Sequence, residues 1–468
     1  MSSAFFGLEI GMRALRAQQR ALDVTAHNIA NANTPGFTRQ RAELTTTPPF
    51  PMPEYNRPLI AGQVGTGVTV ESIQRARDAF LDVQIRRENL SLGEWKAVKE
   101  TLGQIEVIFN EPSEAGLDKV FADFWNAWHE LSKNPESLVA RASLREQSVT
   151  LTNAVNHVYF QLDELRNNLD GNVEIQVDKV NTIARQIADL NKQIMKIEIS
   201  GDNANDLRDK RDLLLDELSE IINFTATETD DGGMVIYIRG RPLLVNDKIV
   251  ELTTQANPLN DGLLDVVWSD DLSLVQVEKG NLKGTLDARD NYIPYYMGEL
   301  DVLAGTIITE VNAMHNVGFA LDGVTTGLDF FTGIGAVDIA VNPIFSDLTL
   351  IAASQGGEAG DGLNALGIAQ LKDALIMAGG TTTFGEYYES LVAILGVKSQ
   401  EASRLVKNEE LLVEQLTNRR ESVSGVSLDE EVVNMLKYQR AYQAASRVIT
   451  VMDEMLDRLI NNTGLAGR

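Results

Sequence analysis

Four histidines and the absence of cysteine restrict the metal and redox chemistry open to this chain of 468 residues. The histidines are His27, His129, His157 and His315. No two have the spacing of a metal-ligand pair, and His129-Glu130 lacks the second histidine of an HExxH zinc site. Without cysteine, disulfides, thiolate metal sites and cysteine nucleophiles are excluded. We therefore predict no metal and no cofactor, and we interpret His27, near a helix end, as a structural hydrogen-bonding residue.

A glycine-rich loop at 356–362 raises a second possibility, nucleotide binding. The residues from Gly360 to Ala365 match the G-x-G-x-x-A pattern of dinucleotide-binding turns. However, the preceding apolar run ends at Ala353, too early for a strand–turn–helix unit, and no βαβ pattern surrounds the loop. We interpret it instead as the start of a short helix capped by Asp361. An enzyme that uses this loop remains an alternative function.

The charge distribution separates the two ends of the chain from its middle. The net charge is −26, whereas residues 1–100 carry 12 basic against 10 acidic side chains and residues 427–468 carry 5 against 6. A body this acidic argues against nucleic acid and anionic membrane as partners. We interpret its Asp and Glu clusters as solvated faces. No apolar run is long enough to span a bilayer, and we expect no cleavable secretory signal at the N-terminus.

Proline and apolar periodicity predict long helices. No proline occurs between Pro135 and Pro242 or after Pro343, whereas five of the twelve prolines fall between Pro48 and Pro58, a stretch predicted to be extended. A heptad pattern over 137–198 predicts a long helix, with a bend or break expected at Gly171 where the pattern stutters. Further helices are predicted at 78–109, 117–131, 206–222, 286–317, 363–377 and 384–459, the last interrupted at Ser424-Gly425.

A β-rich segment follows residue 224. Alternating threonines, an Asp231-Gly232 turn and the run MVIYIRG are typical of a hairpin. Further short strands are predicted at 243–245, 249–252, 264–268, 273–277 and 337–341. The predicted fold class is mainly α with a β-rich insertion, in an elongated chain whose two ends lie side by side.

Each end of the chain carries one apolar stripe that its own helix cannot bury. The N-terminal stripe consists of Leu8, Leu15, Leu22 and Ile29. The C-terminal stripe consists of Leu428, Met435, Tyr438, Tyr442, Ala445, Ile449, Met452, Leu456 and Leu459. It follows a predicted capping box of Ser427 and Glu430. The pattern leaves two interpretations open, namely two core helices of a globular bundle or an oligomerisation seam.

Two terminal motifs resemble those of the bacterial flagellar axial proteins, the family of rod, hook and hook-associated subunits. The N-terminal motif, NIANANTPGFTR at 28–39, includes Asn28, Asn31, Asn33, Thr34, Pro35, Gly36 and Phe37. The C-terminal motif is VNMLKYQRAYQA at 433–444. Rod and hook subunits are largely β between their terminal helices. The long central helices of this chain therefore resemble the hook-associated proteins of the hook–filament junction, with another hook- or rod-type axial subunit as the alternative.

The resemblance implies a domain plan for an elongated, multi-domain axial subunit. The implied units are an inner core of terminal coiled-coil helices at 1–50 and 427–468, an extended linker or hairpin at 51–77, a long-helix bundle domain at 78–222, 285–318 and 384–426, and an outer β-rich domain at 223–284 and 319–383.

The resemblance also implies a structural and not a catalytic role, in the junction layer between hook and filament, where it is required for filament assembly. The implied location is extracellular, after export by the flagellar type III apparatus. The implied partners are further copies of the chain in a helical layer, the hook protein, and the second junction protein with the filament end. A cytoplasmic export chaperone is implied at the C-terminal helix, with the helical domain or residues 399–420 as its alternative site.

Overall fold

The computed structural model describes residues 5–50, 62–113 and 116–462, which are predominantly helical. The longer helices are α1 (Phe6–Ala30), α2 (Ala79–Phe109), α3 (Leu117–Lys133), α4 (Leu138–Glu198), α5 (Asn205–Ile221), α6 (Asn281–Asp287), α7 (Ile293–Val317), α8 (Leu363–Gln370), the single turn α9 (Met377–Gly380), α10 (Phe384–Ser424) and α11 (Leu428–Asp457). The strands are β1 (Gln40–Thr46), β2 (Val68–Arg75), β3 (Thr225–Glu228), β4 (Met234–Ile238), β5 (Arg241–Val245), β6 (Lys248–Ile249), β7 (Leu252–Ala256), β8 (Leu264–Trp268), β9 (Phe331–Thr332) and β10 (Ala340–Val341). The predicted class, mainly α with a β-rich insertion, is confirmed.

The long helix α4 runs uninterrupted for 61 residues. It begins where the side chain of Ser137 accepts a hydrogen bond from the Ala140 backbone N–H at 3.2 Å. The break expected at Gly171 is wrong, because the helix continues through it. Leu169 and Val173 are buried on either side, and their packing offsets the cost of roughly 1 kcal/mol that a glycine brings to a helix interior.

Two hydrophobic clusters share α4. The first surrounds its N-terminal half with α2, α3, α7, α8 and α10, and includes Phe124, Trp128, Leu151, Leu162, Leu300 and Leu391. The second surrounds its C-terminal half with α5 and the strands β4, β5, β7 and β8, and includes Val180, Ile187, Leu215, Ile236, Leu244 and Trp268. A single helix therefore belongs to two separate cores.

The β segment is smaller than predicted. The hairpin of β3 and β4 is confirmed, and the sheet continues in the order β3-β4-β5-β6, all antiparallel, beside a separate pair β7-β8. The strand predicted at 273–277 is wrong, because only a lone bridge joins Leu274 to Val267. The strand predicted at 249–252 is split between β6 and β7.

Residues 319–383 differ from the predicted domain plan, which groups them with 223–284 in one β-rich unit. Among them the structure has only the two-residue strands β9 and β10, short 3-10 turns and the helices α8 and α9. Their buried residues Phe330, Phe345 and Ile368 belong to the first cluster, not to the cluster of the β segment. The helix predicted at 363–377 ends at Gln370, and the strand at 337–341 shrinks to two residues. Buried aromatic residues thus anchor a segment that is largely irregular.

At the chain ends, α1 leads into an antiparallel hairpin of β1 and β2, and α11 packs along α1. The hairpin register runs from Gln40 opposite Arg75 to Thr46 opposite Val68. Ala21, Val24 and Ala42 form a small core here, with Tyr438 of α11 packed against it. The linker predicted at 51–77 thus includes β2, while its residues 51–61 lie outside the described ranges. Within those ranges, no helix is both long and apolar enough to span a membrane.

His315 is buried in the first cluster as a neutral imidazole. Its Nδ1 lies 2.6 Å from the Leu328 carbonyl oxygen, to which it donates, and its Nε2 accepts from the Ala352 backbone N–H at 2.9 Å. The ring of Trp128 lies 6.2 Å away. Burial lowers the pKa of His315 to about 4.

Acidification should therefore destabilise the first cluster. The pKa of the unfolded histidine is about 6.5, so this stabilisation is complete above pH 6.5 and is lost as the pH falls towards 4. The expected loss at pH 5 is about 2 kcal/mol. Denaturant unfolding followed by tryptophan fluorescence at pH 7 and pH 5 measures it. His315→Gln should remove this part of the pH dependence, and His129→Gln, at an exposed position, should keep it. Equal pH dependence in all three proteins would contradict the assignment.

Candidate functional site

Two glycines let α1 approach α11 closely. A Cβ atom added to Gly7 would lie 2.5 Å from Met452 Cε, and one added to Gly11 would lie 2.8 Å from Ile449 Cγ1. Both distances are below normal van der Waals contact, so larger residues would push the side chains of α11 away. These contacts, together with Tyr438 beside Ala21 and Val24, show that the two helices run antiparallel. This small-residue face was not predicted from the sequence, because the regular leucine spacing indicated a different face of α1.

The predicted C-terminal stripe mostly faces α1. Ala445 is buried, and six of its residues are half-buried: Met435, Tyr438, Tyr442, Ile449, Met452 and Leu456. The two end members, Leu428 and Leu459, are exposed. The predicted N-terminal residues Leu8, Leu15, Leu22 and Ile29 are all half-buried. The fully buried face of α1 consists instead of Gly11, Ala17, Ala21, Val24, Thr25 and Asn28.

Asn28, the first residue of the N-terminal motif, ties three elements together. It is only 1% exposed. Its Nδ2 donates to the Gln40 carbonyl oxygen at 2.8 Å and to Glu431 Oε2 at 3.0 Å, while its Oδ1 accepts from the Gln40 backbone N–H at 3.0 Å. Because a buried amide needs partners for its donors and its acceptor, this asparagine joins α1 to β1 and to the first turn of α11.

An ion-pair cluster extends this junction. Arg39 Nε donates to Glu431 Oε1 at 2.8 Å, and Arg39 Nη1 donates to Glu430 Oε2 at 2.8 Å. The Arg39 backbone N–H also donates to the Ser424 carbonyl oxygen. The predicted capping box is therefore only half right: Ser427 accepts from the Glu430 N–H at 3.5 Å, but the Glu430 carboxylate binds Arg39 and does not reach back to Ser427.

The rest of the N-terminal motif forms a turn after α1. The side chain of Asn31 donates to the His27 carbonyl oxygen at 3.0 Å and accepts from the hydroxyl of Thr34 at 3.1 Å. Phe37 packs edge-on against the His27 ring, with centroids 5.3 Å apart. The Nε2 of His27 lies 3.3 Å from Asp206 Oδ1 on α5, so the histidine contacts both the turn after α1 and the start of α5. Asn33, Thr34, Pro35 and Gly36 are exposed and line a cavity of about 610 Å³ facing the α10–α11 link.

Four arginines and four aspartates form an ion-pair network between the end of β2 and the helices α2, α5 and α10. The arginines are Arg75, Arg77, Arg86 and Arg420, and the aspartates are Asp82, Asp209, Asp212 and Asp216. Burial alone would raise the pKa of Asp212, but Arg77, Arg75 and Arg86 together lower it. The interpretation of the acidic clusters as solvated faces is therefore wrong for α5. The spacing of Asp209, Asp212 and Asp216, on one helical face, is the signal that could have revealed this network.

Comparison with known proteins places the chain in a family. Residues 102–331 match the model of the flagellar hook-associated protein FlgK helical domain, residues 8–38 that of the flagella basal body rod protein, and residues 420–462 that of the flagellar basal body rod FlgEFG protein C-terminal region. Flagellar hook-associated protein 1 of Bacillus subtilis is 35% identical over the full length of both chains. The chain belongs to the flagellar hook-associated protein 1 family. Flagellar hook-associated protein 1 of Escherichia coli is 26% identical, over 96% of this chain and 98% of the Escherichia coli chain.

A solved structure agrees with the fold. The flagellar hook junction protein FlgK from Burkholderia pseudomallei superposes with a TM-score of 0.64 at 16% identity, over 73% of this chain and all of that one. The family resemblance read from the two terminal motifs is confirmed. This chain is a structural, non-enzymatic protein of the extracellular flagellar hook–filament junction, with partners among the axial proteins of the flagellum.

The alternatives open at the level of the sequence are overturned by this membership. A rod or hook subunit is excluded because the rod-protein models match only the terminal segments, whereas the full-length relatives are hook-associated. The hypothesis of an enzyme that uses the loop at 356–362 is wrong, because the family is not enzymatic. Asp361 instead accepts hydrogen bonds from the backbone N–H groups of Gln355, Gly356 and Leu363, which closes the loop on itself and begins α8.

Loss of the Glu431 carboxylate should loosen the start of α11. Glu431→Gln removes the negative partner of Arg39 in a site where the Glu431 side chain is only 3% exposed, a change worth about 1–3 kcal/mol. Amide hydrogen exchange in the first turns of α11 should accelerate about tenfold or more. Asp429→Asn is the matched control, since it removes one charge from the same turn at an exposed residue. Equal exchange rates in the two variants would show that the Asn28–Arg39–Glu431 contact does not hold the helix.

Proposed function

We propose that the α1–α11 pair is the surface through which copies of this chain join in a helical layer between hook and filament, and that filament assembly requires this layer. One observation carries the proposal. Along its C-terminal half, α11 packs on α1 through one face and leaves a second apolar row, Val448, Val451 and Met455, about half exposed. Apolar rows left exposed on a soluble subunit are typical of protein–protein contacts.

The burial of each residue indicates whether it acts within one copy or between copies. The half-buried stripe residues hold α11 against α1 within one copy, so they determine whether the pair forms at all. The exposed row is then presented to a neighbour in a fixed orientation, because the Asn28–Arg39–Glu431 contact fixes the start of α11. The proposed seam therefore combines the two interpretations of the stripes, a core contact within a copy and an assembly contact between copies.

The neighbours of this layer are, in the proposal, the hook protein on one side and the second junction protein with the filament end on the other. Export by the flagellar type III apparatus brings the chain to the layer. The acidic middle of the chain supports this arrangement, because it keeps the body solvated and self-repelling while the nearly neutral ends pack.

We further propose that the cytoplasmic export chaperone binds the C-terminal helix. The residues Met435, Tyr442, Ile449 and Leu456 are half-buried, and Ile449 lies against Gly11 of α1, so separation of the two helices before export would expose this stripe. An amphipathic helix with anchors at this spacing suits binding in an apolar groove. Chaperone binding and assembly would then exclude each other, and the chaperone would prevent polymerisation in the cytoplasm.

A carboxylate inside the proposed seam should block assembly without unfolding the domains. Tyr442→Asp or Leu22→Asp places a charge in the α1–α11 contact, where burying it unpaired costs several kcal/mol. Circular dichroism of the secreted protein should show the helices and the β segment intact, and few cells should carry filaments. Gln443→Asp, one residue along on the exposed side, should assemble normally. Normal filament numbers with Tyr442→Asp would refute the seam.

The chaperone proposal is tested separately with a peptide of residues 427–468. The cognate chaperone should bind it, and the same peptide carrying Tyr442→Asp and Ile449→Asp should bind at least tenfold more weakly, because both anchors of the groove contact become charged. A peptide of residues 399–420 tests the alternative site. Equal affinity of the two C-terminal peptides, or binding to 399–420 alone, would remove the stripe from the export step.

A further inference from the structure

A basic groove lies between α1 and β2. Arg13, Arg16 and Arg20 line a cavity of about 320 Å³ together with Val68 and Val70. Arg13 already donates hydrogen bonds to the Glu9 carboxylate and to the Thr66 carbonyl oxygen. Arg16 and Arg20 are exposed, and within residues 5–50, 62–113 and 116–462 neither forms an ion pair or a hydrogen bond. Two guanidinium groups are therefore exposed at one groove without a partner of opposite charge among the described residues.

An acidic row lies near the other end of the terminal pair. Asp453, Glu454 and Asp457 occupy the last turns of α11 and are all exposed. Asp457 accepts a hydrogen bond from Asn461, and in the part of the chain that the structure describes none of the three forms an ion pair. The terminal helices thus carry complementary charges on two separate surfaces.

The two surfaces cannot meet within one copy. Because α1 and α11 are antiparallel, with Gly7 beside Met452 and Ala21 near Tyr438, Arg20 lies level with about residue 439 of α11. Asp457 is about 18 residues further along, which is roughly 27 Å along the helix axis at 1.5 Å per residue. An ion pair requires about 4 Å. Among the residues that the structure describes, the two sets of charges therefore do not neutralise each other within one copy and are available to another molecule.

We infer that the arginine groove of one copy receives the acidic row of the next copy in the junction layer. This inference rests on the proposed function and adds to it a contact and a register. The occupant is a second copy because this chain itself supplies the complementary charges and presents them exposed. The contact joins two different surfaces, head to tail, so it leaves a free groove and a free acidic row on the outermost copies and can continue from copy to copy.

The register has a defined offset. Because α1 and α11 are antiparallel, one shift brings Arg16 of one copy level with Asp457 of the next and Arg20 level with Asp453. This shift is roughly 20 Å along the helix axis. Charge attraction selects this offset over others, since like charges placed opposite each other repel. Because the groups are exposed, salt screens their attraction, and assembly should weaken as ionic strength rises.

Cysteine cross-linking tests the contact directly, because the chain has no cysteine of its own. Full-length protein carrying both Arg16→Cys and Asp457→Cys should form disulfide-linked multimers in isolated flagella after mild oxidation. A disulfide needs Cα atoms closer than about 7 Å, so the bond must join two copies. The control combines Arg16→Cys with Thr450→Cys, an exposed position seven residues from position 457 and hence about 10 Å away along the helix axis; it should stay monomeric.

Charge exchange provides an independent test. Arg16→Glu with Arg20→Glu, and separately Asp453→Lys with Asp457→Lys, should each lower the number of filaments at least tenfold. The protein carrying all four changes should recover to within about twofold of the parent, because the attraction is restored with its sign exchanged. Failure of the fourfold variant to recover, with each pair defective, would overturn the inference.

The outcomes separate this inference from the proposed function. If antibody labelling places the chain at the junction but the Arg16–Asp457 pair gives no multimers, or only the Thr450 pair does, the register is wrong and the layer stands. If the cross-link joins the chain to a different axial protein, the second-copy assignment is wrong. If the chain does not assemble with copies of itself at the junction, the proposed function fails as well.

Discussion

The structure depends on bringing two chain ends together that are about 400 residues apart in sequence. Neither α1 nor α11 can bury its apolar face alone, and an isolated helix of such a composition is only marginally stable in water. The glycines of α1 allow close approach, and Asn28 and Arg39 fix the start of α11 through Glu431. Everything between these helices must therefore lead out and return to one point.

The return path is organised by α4. Its N-terminal half packs in the core that contains α2, α3, α7 and α10, and its C-terminal half packs with α5 and the strands. A helix of 61 residues is about 90 Å long, so it sets the distance between the two cores. The β segment follows α5, packs against the second half of α4, and does not contribute to the contact between the chain ends.

Much of this architecture could be predicted from the sequence, for identifiable reasons. Long helices such as α2, α4 and α10 follow from apolar periodicity and from the lack of proline. The irregular fold of 319–383 could not be predicted, because its short segments are held by aromatic residues such as Phe330 and Phe345, which pack against residues distant in sequence. The N-terminal motif was found, but the role of Asn28 depends on Glu431, 403 residues later. The arginine–aspartate network was misread because each charge taken alone is typical of a solvated surface.

The arginine–aspartate network restricts how the helices α2, α5 and α10 can rotate relative to one another near the chain ends. The hydrophobic effect is non-directional, whereas the planar guanidinium groups of Arg77 and Arg420 bind the Asp82 carboxylate in defined directions. Helices α2, α5 and α10 are thereby locked against twist at the level where the chain ends meet. A torsional load applied to the terminal pair would reach the two hydrophobic clusters along α4 as rotation of a rigid body and would not be absorbed as bending at this ion-pair network.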